Sequence, residues 1–185
     1  GDDSFWLGCI SPYQPMIGYV DGMRLSNDVG ADWTRENTVN MFREMSAGQF
    51  FNNILWQNDP DVLYLRDENS KLSEDEKQSI ALFDGMMGGM LTTSCRFHTL
   101  DRADKLLWKF LKPEDQPVLT MVQDWENPSD LIVLKKNYPG SPNKSVMFLN
   151  ISNEAISIAQ DLENLKIQQP AKIFCWQDGK MVAIN

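Results

Sequence analysis

The sequence predicts a chain of two parts, an α/β region over residues 1–112 and an all-β region over residues 113–185. In the first part, short apolar runs alternate with amphipathic helical patterns, which is typical of a parallel sheet covered by helices. From about residue 117 the helical period disappears, and short apolar runs alternate with turn residues. This second pattern indicates an antiparallel all-β domain, and we expect a β-sandwich there.

Four apolar runs of the first part are predicted parallel strands, at residues 5–9, 22–26, 53–56 and 90–94. The stretch between the first two, residues 11–21, contains two prolines and no helical period. We therefore predict that this first crossover is a loop rather than a helix.

Three helices are predicted around these strands. Residues 35–47 carry apolar side chains at helical spacing. The next helix begins at Ser73, because Glu76 three residues later completes a capping box in which each residue satisfies a backbone N–H of the other. A last helix is predicted to start near Asp101 and to end before Pro113.

The second part contains six short apolar runs that are separated by turn residues, which is the pattern of strands in an antiparallel sheet. These predicted strands lie at residues 118–122, 131–134, 145–149, 155–158, 172–176 and 181–184.

Composition and charge exclude several classes of partner. The chain has 185 residues, with 26 acidic and 17 basic side chains and a net charge of −9. A negative balance of this size disfavours nucleic acid and anionic membrane surfaces as partners. No apolar stretch reaches the roughly 18 residues that a membrane-spanning helix needs. We therefore expect neither a nucleic acid nor a membrane partner.

Cysteine and histidine restrict the chemistry. The three cysteines, Cys9, Cys95 and Cys175, are far apart and form no C-x-x-C spacing, and His98 is the single histidine. We predict no metal site and no cofactor, and acid–base chemistry would fall mainly to aspartate and glutamate. Cys9 also suits a small buried hydrophobe. The sequence leaves one disulfide possible. It therefore does not decide whether the compartment is cytoplasmic or secreted/periplasmic.

Carboxylates follow the ends of the second and third predicted strands, within residues 27–33 and 57–61, and Trp33 and Trp56 lie beside them in the sequence. In parallel α/β folds the ligand site lies beyond the carboxyl ends of the strands. Carboxylates bind sugar hydroxyls, and aromatic rings pack on the apolar faces of pyranoses. Paired carboxyl groups are also what glycoside hydrolysis requires, so the pattern favours a carbohydrate site.

Structural interpretations of the same residues stay open. Asp28 could cap the loop into the following helix, residues 59–61 form a good turn sequence, and Trp33 and Trp56 suit a core. Arg24 is harder to explain in this way, because an arginine inside an apolar strand needs a carboxylate partner or a ligand.

Two segments together resemble the retaining α-galactosidases, the melibiases and their raffinose-acting relatives. They are residues 22–33, Gly-Met-Arg-Leu-Ser-Asn-Asp-Val-Gly-Ala-Asp-Trp, and residues 56–63, Trp-Gln-Asn-Asp-Pro-Asp-Val-Leu. Residues 7–9, Leu-Gly-Cys, with Pro12 downstream, resemble a strand end of the bacterial and plant branch. The resemblance covers the whole chain and implies a (β/α)8 barrel followed by a β-sandwich.

The resemblance implies roles for individual residues. Asp28 matches the general acid/base, Arg24 matches an arginine that binds the sugar and holds that carboxyl, and Asp61 matches an aspartate that orients side chains or ligand. The expected ligand is an α-galactoside oligosaccharide. Three further positions match the pocket wall and its aromatic frame: Cys9, Trp33 and Trp56.

One departure limits the resemblance. The family's nucleophile is an aspartate in a Lys-x-Asp motif at the end of the fourth barrel strand, and no Lys-x-Asp occurs in this sequence. A complete (β/α)8 barrel takes about 250 residues, so residues 1–112 would hold only its C-terminal half. We expect an inactive fragment of a longer enzyme, beginning at a cut rather than at a natural start. The open edges of a half barrel predict self-association or pairing with the missing half.

An alternative function remains, a non-catalytic carbohydrate-binding or structural module that derives from such an enzyme. The choice between galactose and N-acetylgalactosamine also stays open, with a weak preference for galactose from the residues near Cys9.

Overall fold

The computed structural model describes residues 3–108, 111, 119–122, 129–167 and 172–182. The chain divides into two compact units, Gly1–Asn153 and Glu154–Asn185. The predicted boundary between residues 112 and 113 adjoins residues outside the described part and stays a prediction.

A parallel three-stranded sheet opens the first unit. Strands β1 (Leu7–Gly8), β2 (Gly22–Arg24) and β3 (Gln57–Asp59) lie in the order β1-β2-β3, and both pairings are parallel. The predicted parallel arrangement is confirmed. The prediction of a strand at residues 53–56 is wrong, because Asn53 has a left-handed backbone with φ of 59° and starts a turn. The strand begins one residue after that apolar run.

The crossovers of this sheet are short helices. Between β1 and β2 lies α1 (Tyr13–Met16), so the prediction of a helix-free loop is wrong. Proline is tolerated there because the first turn of a helix needs no backbone N–H. Between β2 and β3 lie α2 (Thr38–Ala47) and a 3₁₀ turn (Gln49–Phe51). Helix α2 confirms the helix predicted at residues 35–47, although it begins three residues later, at Thr38, and its apolar face is buried.

A second parallel pair joins β4 (Val62–Leu63), which the sequence pattern did not predict, to β5 (Thr92–Thr93). The helix between them, α3 (Glu74–Met87), has the predicted capping box with both of its hydrogen bonds. It ends at Gly88, whose φ of 66° is a left-handed conformation that glycine adopts at low cost.

The last helix of this region, α4 (Arg102–Leu107), begins at the predicted place. Asp101 is its N-cap and accepts a hydrogen bond from the Asp104 backbone N–H at 2.8 Å. Residues 109–110 and 112–113 lie outside the described part, so the predicted end of this helix before Pro113 stays a prediction.

An antiparallel sheet completes the described part of the first unit. Strands β6 (Leu119–Val122), β7 (Leu131–Asn137) and β8 (Lys144–Asn150) lie in that order. The sheet packs on the C-terminal end of α3, where the Lys136 Nζ donates to the Gly85 carbonyl at 2.8 Å. Three predicted strands of the second part are thereby confirmed.

The second unit contains a hairpin of β9 (Ile173–Cys175) and β10 (Lys180–Val182). The prediction of a strand at residues 155–158 is wrong, because this stretch is exposed and pairs with no other described segment. The chain is thus a mixed helix and strand protein with small sheets, while the half barrel and the sandwich stay predictions.

The core of the first unit lies between the parallel strands and helices α2 and α3. The rings of Phe42 and Phe83 meet edge to face with centroids 4.7 Å apart, and both side chains are fully buried. Met23, on β2, is also fully buried.

None of the helices in the described residues has the length and apolar character to cross a membrane.

Candidate functional site: an arginine among three aspartates

The register of the first sheet places Arg24 beside Asp59. The two residues are direct partners at the carboxyl ends of β2 and β3. Neighbouring residues of parallel strands point their side chains to the same face, so this pairing brings a guanidinium and a carboxylate together. The site therefore follows from where the two short strands end.

All three nitrogens of the Arg24 guanidinium bind a carboxylate. Nε donates to Asp59 Oδ2 at 3.2 Å, Nη2 lies 2.7 Å from Asp61 Oδ1, and Nη1 donates to Asp28 Oδ1 at 3.0 Å. A planar guanidinium with its donors in a fixed fork is suited to bind several carboxylates at defined angles. We call these four residues the Arg24 cluster.

The members of the Arg24 cluster differ in burial. The side chains of Asp59 and Asp61 are 1% and 7% exposed, that of Arg24 is 13% exposed, and that of Asp28 is 82% exposed. Two carboxylates thus hold the arginine from the interior, while the third extends into solvent. Asp28 is the carboxylate of this cluster that an external ligand can reach.

The charges of the cluster keep Arg24 ionised. Burial lowers the pKa of Arg24, but the hydrogen bond that Arg24 donates to Asp59 and the charges of Asp61 and Asp59 outweigh this effect, so the pKa lies above its ordinary value. With one cation and three carboxylates, the ionised cluster has a net charge of −2. Such a site favours neutral or cationic ligands over anionic ones.

Asp61 links the cluster to the loop that carries Asp28. Its backbone has a positive φ of 79°, which is strained for a residue with a side chain. Its N–H donates to Asp59 Oδ1 at 2.9 Å, and its Oδ2 accepts from the Val29 N–H at 2.8 Å. Because Val29 follows Asp28 directly, this bond fixes the loop at the position of Asp28.

Cys9 lies at the same end of the sheet. It follows β1 directly and is an exposed, free thiol, so the interpretation as a small buried hydrophobe is wrong. Gly8 pairs with Met23 in the parallel register of β1 and β2, so Cys9 and Arg24 are the next residues along these neighbouring strands. The structure therefore brings Cys9, Arg24, Asp28 and Asp61 to one end of the sheet.

The two tryptophans occupy different surroundings. Trp33 packs against the Phe42 ring, with centroids 5.2 Å apart. Trp56 is 4% exposed, lies at the amino end of β3 and contacts the rings of Tyr13 and Phe51. Trp56 thus lies at the opposite end of its strand from Asp59. Their roles as sugar contacts stay predictions.

Two residues near the site were not predicted to belong to it. The sequence suggests a turn or supporting role for Asp59, and its alignment with Arg24 becomes visible once β3 is placed at Gln57–Asp59. Asp84, on α3, is buried, and its Oδ1 has no hydrogen-bond partner among the described residues. Burial raises the pKa of Asp84 well above its usual range, and the charge of Asp59 adds to this.

The signal for Asp84 was present in the sequence. It lies four residues after Ile80 and three before Met87, in the middle of an apolar helix face.

No group of three or more His, Cys, Asp and Glu side chains in the described part of the chain is arranged to hold a metal ion. In the Arg24 cluster, the guanidinium occupies the position that a cation would take.

No family model matches the chain. Among solved structures, the chain is similar to TtGalA, an α-galactosidase from Thermus thermophilus in complex with p-nitrophenyl α-D-galactopyranoside, with 24% sequence identity and a TM-score of 0.49. The similarity covers 63% of this chain and 26% of that chain. The chain thus spans about a quarter of the length of that enzyme.

Proposed function

We propose that the chain is part of a retaining glycoside hydrolase of the α-galactosidase type, corresponding to the C-terminal half of its (β/α)8 barrel and the β-sandwich that follows. Asp28 is the general acid/base, and an α-galactoside is the ligand. The observation that carries the proposal is the contact between the exposed Asp28 and an Arg24 that Asp59 and Asp61 hold from the interior.

The geometry supports this division of roles. A general acid/base must reach the leaving-group oxygen, and Asp28 is the accessible carboxylate of the cluster. Arg24 can bind a sugar hydroxyl and orient Asp28 at the same time, because its Nη1 faces the exposed side. Cys9 and Trp33 complete the proposed set of sugar-contacting positions, and Asp61 has the orienting role, because both of its carboxylate oxygens are bound within the chain.

We also propose that this chain alone does not hydrolyse α-galactosides. A retaining enzyme needs a second carboxylate as nucleophile, and the sequence lacks the Lys-x-Asp motif that would supply it. The purified chain should release no p-nitrophenol from p-nitrophenyl α-galactopyranoside above the buffer rate. Robust hydrolysis would show that a nucleophile is present and would overturn this part.

Ligand binding tests the site itself. Methyl α-galactopyranoside should bind the chain in a calorimetric titration, and Arg24→Met should weaken binding at least tenfold. Arg43→Met is the matched control, since Arg43 is also ion-paired with an aspartate, Asp130, but lies outside the cluster. Absence of binding by the wild type, or equal losses in both variants, would contradict the proposal.

A non-catalytic carbohydrate-binding module would also bind the sugar, so binding alone does not distinguish it from a hydrolase fragment. The reading frame upstream of the first residue does. A frame that continues upstream and encodes a Lys-x-Asp strand motif supports the hydrolase. A start codon at the first residue would favour the module.

We further propose that the chain self-associates or pairs with the remaining barrel half through the edge of its parallel sheet. Strand β1 is the edge strand of this sheet, and large apolar side chains on and beside it are exposed: Phe5, Trp6, Leu7 and Ile10. Sedimentation velocity should show a mass that rises with concentration, and Trp6→Lys should reduce it. Phe97→Lys, at an exposed ring far along the chain, is the control. A strictly monomeric wild type would contradict self-association.

A further inference from the structure

We propose that Asp59 is a positioning residue, which sets the orientation of Arg24 and, through Asp61, of the loop that carries Asp28. For its effect on sugar binding, this inference rests on the function proposed above. Its structural basis is independent of that function, because it concerns contacts within the chain.

Both carboxylate oxygens of Asp59 are engaged, and each orients a different partner. Oδ2 accepts from Arg24 Nε at 3.2 Å, and Oδ1 accepts from the Asp61 N–H at 2.9 Å. Nε is the guanidinium nitrogen that is attached to the side-chain stem, so fixing its N–H direction fixes the plane of the whole group. The two outer nitrogens then meet Asp61 and Asp28.

Asp61, the second partner of Asp59, connects Asp59 to the loop that carries Asp28. The hydrogen bond to Asp59 holds the Asp61 backbone at its strained φ of 79°. In this conformation Asp61 Oδ2 accepts from the Val29 N–H at 2.8 Å. Asp28 is therefore positioned from two directions, through its own side chain by Arg24 and through the next peptide by Asp61.

Asp59 acts through these neighbours rather than on a ligand. Its side chain is 1% exposed, and its two oxygens already have partners. An asparagine at this position has one acceptor oxygen, and its NH₂ group would face one of the two donors. Asp59→Asn therefore removes one of the two orienting bonds while it preserves the volume of the side chain.

The test measures Arg24 directly. Hydrogen exchange of the Arg24 Nε–H, followed by NMR, should be at least tenfold slower in the wild type than that of the exposed Arg96. Asp59→Asn should accelerate it at least tenfold and shift its resonance. Asp104→Asn is the matched control, because it removes another buried, ion-paired carboxylate, that of the Lys77 cluster, and should leave the exchange within twofold of the wild type.

The outcomes separate the two proposals. An Arg24 Nε–H that exchanges as fast as that of Arg96 in the wild type would overturn the role of Asp59, even if Asp59→Asn did not fold. So would a folded Asp59→Asn with unchanged exchange and resonance. Binding of methyl α-galactopyranoside should weaken at least fivefold in Asp59→Asn and not in Asp104→Asn. If the wild type binds no galactoside, the proposed function fails, and the exchange data still decide the role of Asp59.

Discussion

Two cations of this protein are each surrounded by three carboxylates, and the two clusters are built in opposite ways. In the Arg24 cluster, two of the acids are buried and the third, Asp28, is exposed. In the second, which we call the Lys77 cluster, the lysine is 1% exposed, Asp104 is buried, and Asp67 and Glu74 are exposed.

The Lys77 cluster joins elements of the scaffold. Lys77 and Glu74 lie on the first turns of α3, Asp67 precedes that helix, and Asp104 lies on α4. Burial lowers the pKa of Lys77, but the hydrogen bonds that Lys77 donates to Asp67 and Glu74 and the charge of Asp104 raise it above its ordinary value. These acids also offset the cost of a cation near a helix N-terminus.

The difference shows which cluster can serve a ligand. A lysine ammonium is a point charge that its partners can enclose, and no fixed direction is needed. The Arg24 guanidinium is held in a defined plane by buried acids and presents one exposed carboxylate at the ends of the parallel strands. We infer that the Lys77 cluster stabilises the packing of helices, whereas the Arg24 cluster orients a reactive group.

Removing the cation from the Arg24 cluster should have the largest effect on stability. Arg24→Met leaves Asp59 and Asp61 buried without their positive partner, and breaking a buried pair in this way costs about 3–5 kcal/mol. Urea denaturation should show a loss in this range. The control Arg43→Met removes a half-exposed pair and should lose no more than about 1 kcal/mol. A loss as small as the control would contradict the proposed cluster.

Lys77→Met should cause the next largest loss of stability. It leaves one buried carboxylate, Asp104, without its cation, so we expect a loss of about 3 kcal/mol at neutral pH. Galactoside binding by the folded variant should stay within twofold of the wild type, because Lys77 lies outside the Arg24 cluster. A parallel loss of binding would show that the two clusters are not separate.

Asp84→Asn should stabilise the protein, with a dependence on pH. Burial and the charge of Asp59 raise the pKa of Asp84 in the folded chain, so the folded state holds a proton that the unfolded state loses above about pH 4. Stability of the wild type therefore falls as pH rises from there toward the raised pKa. The variant lacks this loss and should gain about 1–3 kcal/mol at pH 7 and little at pH 3.

The matched control for that comparison is Asp75→Asn on the exposed face of the same helix, which should show no such gain. Equal stability of Asp84→Asn and the wild type at pH 7 would indicate that Asp84 is ionised and paired in the folded chain.

Asp28→Asn should have the smallest effect on stability and a specific effect on binding. Its ion pair with Arg24 is exposed, and pairs of this kind contribute within about 1 kcal/mol. Methyl α-galactopyranoside should bind several-fold more weakly, because the carboxylate that we propose contacts the sugar becomes an amide. Unchanged affinity in the calorimeter would remove Asp28 from the site.

The sequence predicted the elements that local hydrogen bonds and apolar spacing define. The capping box of Ser73 and Glu76 begins α3 where expected, and the face of α2 is buried as its spacing requires. The error at β3 has a physical cause. Apolarity indicated residues 53–56, but the strand is the polar Gln57–Asp59, whose one acid, Asp59, pairs with Arg24 from the neighbouring strand.

The candidate site, too, could be predicted from the sequence only in part. The need of Arg24 for a carboxylate was evident from the sequence, and the structure supplies Asp59 and Asp61. The engagement of both Asp59 oxygens depends on strand register and on the positive φ of Asp61, which apolar periodicity does not encode. Strand β4 has two residues, too few for a periodic signal.

A crystal structure of the chain soaked with methyl α-galactopyranoside would test the central claim most directly. We predict sugar density at the carboxyl ends of β2 and β3, with a hydroxyl or the glycosidic oxygen within hydrogen-bond distance of Asp28 and of Arg24 Nη1, and with Asp59 and Asp61 still bound to the guanidinium. Density at another surface, or an Arg24 separated from Asp28 and Asp61, would contradict the account.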